Sequence, residues 1–212
     1  GRALGFTCKE DEHAEILPGL GVKLHAEWAM VLVGNKTLLR QHKLSIKPFE
    51  SFANEHLEKG RTIVYVSLDQ KILGAFAFEH EVRVGTKAML EGLVQRGVKH
   101  LVLLSGDEEK VAHAFAQEYG FNEVYANVMP EGKADVIDAL KTKCKNVVMV
   151  GDGINDTIAM SRADVAISFA SGGSEAAIEI STIAVTKSDP MDILNLYDLS
   201  QKSLHVISQN YW

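Results

Sequence analysis

The sequence predicts an α/β protein: a mostly parallel sheet with crossover helices, preceded by a smaller antiparallel α+β unit. Two observations carry this prediction. From about Thr62 onward short β-rich apolar runs alternate with segments of helical period, the pattern of parallel strands joined by helices. Over the first 75 or so residues, however, the pattern differs and ends in two adjacent β runs separated by only two residues, which reads as a hairpin.

In the first region Pro18-Gly19-Leu20-Gly21 opens a strand-like stretch, and Lys47 to Lys59 reads as a helix closed by Gly60. Thr62 to Leu68 and Lys71 to Phe78 flank Asp69-Gln70 as a hairpin. The boundary falls between Phe78 and Val84, giving expected domains of 1–78 and 79–212. The second begins with a helix over Val84 to Arg96.

Lys99 to Leu104 reads as a buried strand, followed by a helix from Glu108 to Tyr119. Val111, Ala112, Phe115, Ala116 and Tyr119 share one face of that helix, and Gly120 can stop it. The plan then recurs: helix Glu131 to Leu140, strand Asn146 to Val150, short helix Thr157 to Arg162, and strands Val165 to Ser168 and Ile183 to Thr186. No strand can bury both faces alone, so stacking into one twisted sheet is expected. Asp189 to Asn210 is a long helical pattern ending in Gln209-Asn210-Tyr211-Trp212, whose aromatics are expected to pack.

Composition narrows the function. With 46% apolar and 24% charged residues the 212-residue chain has the make-up of a globular protein, in one large domain or two small ones. A net charge of −6, with no basic run, argues against nucleic-acid binding. Small anions remain possible, because backbone amides, one lysine and a divalent cation suffice to hold a nucleotide. Cys8 and Cys144 stand apart, with no partner at a metal-ligand spacing, and read as thiols in a reducing compartment. No secretory leader is recognisable, and the apolar runs Leu101 to Leu104 and Val147 to Val150 fall far short of the roughly 20 residues that span a bilayer. The chain is expected to be soluble.

Three segments carry chemistry. Gly151-Asp152-Gly153-Ile154-Asn155-Asp156 sits between a strand and a helix, and its carboxylates and amide can hold a hard cation such as magnesium. It can equally be a tight turn with Asp156 as the helix N-cap. Ser105-Gly106-Asp107 at another strand end offers a hydroxyl and amides to phosphoryl oxygens, and is also ordinary turn chemistry. Lys133, just inside the helix after Pro130-Glu131-Gly132, can reach a phosphate from the neighbouring strand end or face solvent. On successive strand ends a hydroxyl, an ammonium and paired carboxylates would converge on one crevice, as phosphoryl transfer requires.

In order and spacing these three segments resemble the later motifs of heavy-metal P-type ATPases. Leu17-Pro18-Gly19-Leu20-Gly21-Val22 and Val33-Gly34-Asn35 are similar to nucleotide-domain motifs of the same branch. The resemblance implies a haloacid-dehalogenase-like Rossmannoid parallel sheet, incomplete here, plus a small antiparallel nucleotide-binding domain. It implies that Ser105, with Gly106 and Asp107, contacts the phosphoryl group and that Lys133 neutralises it. Asp152 would ligate Mg2+, supported by Asn155 and Asp156, the latter also a metal-site and catalytic candidate. Gly19 and Gly21 would let the backbone approach ATP, with Gly34 and Asn35 lining the same pocket; a structural turn accounts for all four equally. The implied partners are ATP and a transported heavy-metal cation, at the cytoplasmic face of a membrane reached through helices outside this sequence.

The sequence departs from that family in three places. It contains no Asp-Lys-Thr-Gly-Thr segment, so it lacks the aspartate that would form the aspartyl-phosphate. The Ser-Glu-His-Pro segment is also absent, its expected place lying about ten residues before Gly1, and His13 is not followed by proline. His80 stands three residues before Arg83, where an aspartate is usual. Both ends are expected to be cut from a longer protein, and the missing strand should leave unpaired sheet edges. Alternatives are a non-catalytic nucleotide- or Mg2+-binding module and, lacking its own Asp-x-Asp or Asp-x-Thr nucleophile, a free-standing phosphatase. The ending Gln209-Asn210-Tyr211-Trp212 resembles copper pumps slightly more than zinc pumps.

Overall fold

Two kinds of sheet occupy the two halves of the chain, as the change of pattern near Phe78 leads one to expect. The computed structural model describes residues 13–26, 29–79, 81–151, 154–169, 175–187 and 189–210. The chain divides into two compact units, Gly1–His80 and Glu81–Trp212. Cys8, His80, Asp152, Gly153, Tyr211 and Trp212 lie outside the described residues.

The first unit is a five-stranded antiparallel meander, in order β1 (His13–Leu17), β2 (Gly21–Ala26), β3 (Ala29–Gly34), β4 (Thr62–Leu68) and β5 (Lys71–Phe78). Two helices join β3 to β4: α1 (Lys36–Gln41), and α2 (Glu50–Leu57), entered through a 3-10 turn over Lys47–Phe49. Strict alternation in β4 buries Ile63, Tyr65 and Ser67 on the face against which both helices pack, with Leu32, Leu38, Leu39, Ala53 and Leu57. The hairpin between β4 and β5 turns at Asp69, held at φ +48°. A short polar side chain tolerates that region, and here it is tied down, since Asp69 Oδ1 accepts the Met30 N–H at 2.9 Å and its own N–H reaches Met30 O at 2.7 Å. The helix α1 was not read from the sequence because its apolar period is one turn long.

The second unit alternates helix and parallel strand: α3 (Thr86–Gln95), β6 (Val102–Leu104), α4 (Glu109–Tyr119), β7 (Glu123–Tyr125), α5 (Pro130–Lys143), β8 (Val148–Gly151), α6 (Thr157–Arg162), β9 (Val165–Phe169), α7 (Glu175–Ile180), β10 (Ile183–Val185) and α8 (Met191–Asn210). Gly85 (φ 90°) precedes α3, and Gly120 (φ 79°) ends α4 in the left-handed region that glycine enters without strain. α3 and α8 cover one face of β9 and β10 through Met89, Leu90, Ile167, Phe169, Val185, Ile193 and Leu194. α5 and α6 cover the other face through Ile137, Leu140, Met149, Ala159, Met160 and Ala166. α8 is fixed near its middle by Asp198, which takes a two-pronged bond from Arg96 that holds its carboxyl below the usual carboxylate range. No helix among the described residues is long and apolar enough to cross a membrane.

One expectation is corrected. The parallel strands do not form a single sheet; they form a three-stranded ladder, β10-β9-β8, and a two-stranded ladder, β6-β7. Among the described residues no strand lies between β8 and β6, so each presents an unpaired edge, and Val148 and Val150 of β8 stand 55% and 43% exposed. The ladders nevertheless share a core, because Val102, Leu104 and Tyr125 pack against the Met149 cluster. The strand expected over Lys99 to Leu104 is also shorter. Asn122 intercepts its beginning, accepting the Leu101 N–H at 2.8 Å and donating to Lys99 O at 2.7 Å, so pairing starts at Val102.

Two substitutions in the first unit should move stability in opposite directions. Ser67 is fully buried and its Oγ has no partner among the described residues. Ser67→Ala should therefore be neutral or stabilising by up to about 1 kcal/mol in urea denaturation. A methyl at Gly34 would lie 2.3 Å from Leu20 O and 2.6 Å from Leu38 Cδ2, so Gly34→Ala should cost about 1–3 kcal/mol by the same measurement.

Candidate functional site

At the C-terminal end of β6 the chain turns sharply through Ser105-Gly106-Asp107, and the turn satisfies itself. Ser105 Oγ donates to Asp107 Oδ2 at 2.9 Å while accepting the Asp107 N–H at 3.1 Å. The loop is tied to the segment leaving β7: Ser105 N–H bonds Tyr125 O, Val128 N–H bonds Ser105 O, and Asn127 N–H bonds Asp107 O. Asn127 makes the bend at φ +53°. These bonds place the Ser105 turn beside the start of α5.

Pro130 begins α5 at a position where a missing N–H costs nothing, and Lys133 lies in the first turn. Val128 packs the junction: its carbonyl lies 3.4 Å from where a Cβ at Gly106 would stand, and its Cγ1 lies 3.4 Å from that of Gly132. Both glycines give the turns ordinary contact distance without a side chain between them.

From there Lys133 reaches the loop after β8. Its Nζ donates to Asp156 Oδ1 at 2.6 Å, and both side chains are mostly buried, 13% and 18% exposed. Asp156 stands at the N-cap of α6 yet accepts no capping hydrogen bond there. Of the two readings the sequence allowed, the capping one is not what its side chain does. The carboxylate lies against bare backbone: a Cβ at Gly151 would come within 3.2 Å of Asp156 Cβ, Asp156 Oδ2 and Met160 Sδ. Asn155, in the 3-10 turn Ile154–Asp156, is exposed.

Ser105, Gly106, Asp107, Lys133 and Asp156 are thus linked by an unbroken run of contacts across the ends of β6 and β8. Sequence reasoning missed Val128, Asn127 and Met160, which position these residues; only the positive φ of Asn127 had a signal, in that asparagine favours it. What registers β8 beneath the site is also polar. Asp164 accepts the Val147 N–H at 2.8 Å and pairs with Lys141 at 2.9 Å. Those two partners, Lys141 foremost, hold its carboxyl below the ordinary aspartate range.

In the first unit Gly19, Gly21, Gly34 and Asn35 also come together. Asn35 Nδ2 donates to Gly19 O at 2.8 Å, its N–H bonds Leu20 O, and its Oδ1 caps α1 by accepting the Leu38 N–H at 3.1 Å. Gly21, at φ +143°, passes so near β3 that a Cβ would meet Val33 O at 2.2 Å. These contacts account for the four residues as a close-packed turn.

The donors fit magnesium. Mg2+ takes hard oxygen ligands, usually one or two carboxylates with water and phosphate making up the octahedron. Asp156 offers such a carboxylate, packed so closely on Gly151 that a Cβ there would lie 3.2 Å from its Oδ2, and Asn155 beside it is exposed. Among the described residues no group of three or more His, Cys, Asp or Glu side chains forms a self-sufficient metal cage.

In this parallel α/β unit the Ser105 turn follows β6 and the Lys133–Asp156 pair sits at the loop after β8. The family model for haloacid dehalogenase-like hydrolases matches residues 9–164, and the chain belongs to that family. Within it the curated relatives are heavy-metal P-type ATPases, named for copper, zinc or manganese. The copper-transporting ATPase RAN1 of Arabidopsis thaliana is 36% identical over 196 residues, covering 92% of this chain and 19% of the relative. A crystal structure of a zinc-transporting PIB-type ATPase in the E2.Pi state matches with a TM-score of 0.64 at 29% identity, covering 95% of this chain and 32% of that one. The catalytic domain of the CPx-ATPase CopB-B matches with a TM-score of 0.67 at 22% identity, a likeness of fold. The chain spans 19% of the length of RAN1 and 30% of that of a probable copper-transporting P-type ATPase B of Staphylococcus aureus.

Because Lys133 and Asp156 are mostly removed from water, deleting one leaves the other uncompensated. Asp156→Ala should destabilise the second unit by about 1–3 kcal/mol, whereas Asp156→Asn, which keeps an acceptor for the ammonium, should cost less. Chemical denaturation followed by circular dichroism checks the order.

Proposed function

We propose that this chain is the ATP-binding and phosphorylation region of a heavy-metal cation-translocating P-type ATPase, with the phosphorylated aspartate supplied from outside the 212 residues. The observation that carries the reading is the 2.6 Å pair of Lys133 and Asp156, with the Ser105 turn bonded to the segment that leads into α5. Residues 1–78 serve as part of the nucleotide-binding domain and 79–212 as most of the phosphorylation domain. Gly19, Gly21, Gly34 and Asn35 border the ATP site, their tight turn bringing backbone rather than side chains to the nucleotide.

In the phosphorylation domain Ser105 Oγ and the amides of Gly106 and Asp107 orient the phosphoryl oxygens, and Lys133 offsets their charge. Asp152, Asn155 and Asp156 would hold Mg2+, which when bound adds positive charge to the phosphoryl group as it transfers. The aspartate that becomes the aspartyl-phosphate belongs to a strand that fits the break between β6 and β8, where edges on both sides lack partners. Metal transport follows, in the whole pump, from rearrangements that phosphorylation drives across membrane helices outside this chain.

A second reading has one observation in its favour: the sequence has no nucleophile motif, so the chain by itself would be a non-catalytic module that retains nucleotide or Mg2+ affinity. One experiment separates the two. Joined to its upstream coding sequence, the protein should form an ATP-dependent, acid-stable phosphoenzyme. Asp152→Ala or Lys133→Ala should reduce that labelling roughly 100-fold or more. Full labelling in either variant contradicts the assigned roles.

A further inference from the structure

Lys133 occupies an electrostatically awkward position. Its first-turn place in the 14-residue helix α5 sets an ammonium at the positive end of the helix dipole, where an anion is favoured and a cation is not. α4 also carries a lysine in its first turn, Lys110 beside Glu109, but that residue is exposed, whereas the Lys133 side chain is mostly buried. The ammonium is held there by Asp156 Oδ1, from a segment 23 residues away. The same carboxylate is the one assigned above to a divalent cation, its Oδ2 lying 3.2 Å from where a Cβ at Gly151 would stand.

We propose that the Lys133–Asp156 pair is an exchangeable lock: the lysine acts as the resting counter-ion of Asp156, and cation and phosphate binding are coupled because each separates the pair. The proposal rests on the phosphoryl-site reading and adds to it the order of partners. A divalent cation beside Asp156 meets a positive charge 2.6 Å from that carboxylate, so cation alone binds against repulsion. Phosphate alone can draw Lys133 toward the α5 N-terminus only by stripping Asp156 of its counter-ion. With both present, the cation takes Asp156, the lysine takes the phosphate, and every charge is matched. Four methylenes and rotatable bonds allow Lys133 to make that short transfer. By linkage each ligand must tighten the other by the same factor.

The test uses the 212-residue chain with Mg2+ alone, inorganic phosphate alone, and both, by isothermal titration calorimetry. The Lys133 ammonium is followed by NMR of 15N-labelled lysine. In the wild type, saturating phosphate should tighten Mg2+ about fivefold or more, and phosphate should gain the same factor from Mg2+. The Lys133 signal should move only modestly with either ligand alone and fully with the two together. Lys133→Gln should bind Mg2+ alone tighter than the wild type by a similar factor and lose the coupling. Asp156→Asn, which keeps the shape of the site, should bind phosphate alone tighter and lose the coupling too. Equal Mg2+ affinity in the wild type and Lys133→Gln, indifferent to phosphate, overturns the lock while leaving the phosphoryl site standing. If neither protein binds Mg2+ while both remain folded, the phosphoryl-site reading fails as well.

Discussion

Everything at the candidate site depends on one ion pair between segments that have no local reason to meet. Lys133 belongs to the first turn of α5 and Asp156 to the turn before α6, and they lie 2.6 Å apart because α5 begins where β8 ends. A parallel crossover unit enforces this. Strands that all run one way present their C-terminal ends together, and the loops and helix starts that follow them share one edge. The Ser105 turn reaches the same edge from β6 by the same rule.

The packing beneath the pair explains why it is held there. Ile137 and Leu140 of α5, Met149 of β8 and Ala159 and Met160 of α6 form one buried cluster, so the helix that carries Lys133 and the strand that leads to Asp156 share a core. Asp164 pins the start of β8 through the Val147 N–H and binds α5 again through Lys141. Gly151 removes the one Cβ that would push Asp156 away. Small residues and one half-exposed aspartate-lysine contact thus help decide the position of a charged pair that hydrophobic burial alone would not fix.

Much of this was legible in the sequence. The hairpin ends, Gly60 and Gly120 as stops, the helix Thr157–Arg162 and the glycine-rich loop after β8 follow from turn chemistry and periodicity, which act locally. What was not legible depends on tertiary partners. α1 and α7, six residues each, were not read from the sequence. The strand before Ser105 is trimmed by Asn122, more than 20 residues away in sequence. Whether Asp156 caps its helix or belongs to a cation-holding loop is a choice that spacing could not rank, and its pairing with Lys133 was not foreseen. The resemblance to heavy-metal pumps pointed to the cation-holding role, and the curated relatives are of that kind. The division of the parallel strands into two ladders was foreseeable only through that resemblance, since periodicity by itself calls for a continuous sheet.

The break between β6 and β8 is where the proposed function meets the fold: on that proposal one further parallel strand fits there and carries the catalytic carboxylate. Amide hydrogen exchange reads this directly at Val102–Leu104 and Val148–Gly151, compared between this chain and the longer polypeptide that includes its upstream sequence. Slowed exchange of edge amides in both strands of the longer protein is the predicted result. Unchanged exchange in both, with the longer protein fully folded, would contradict it.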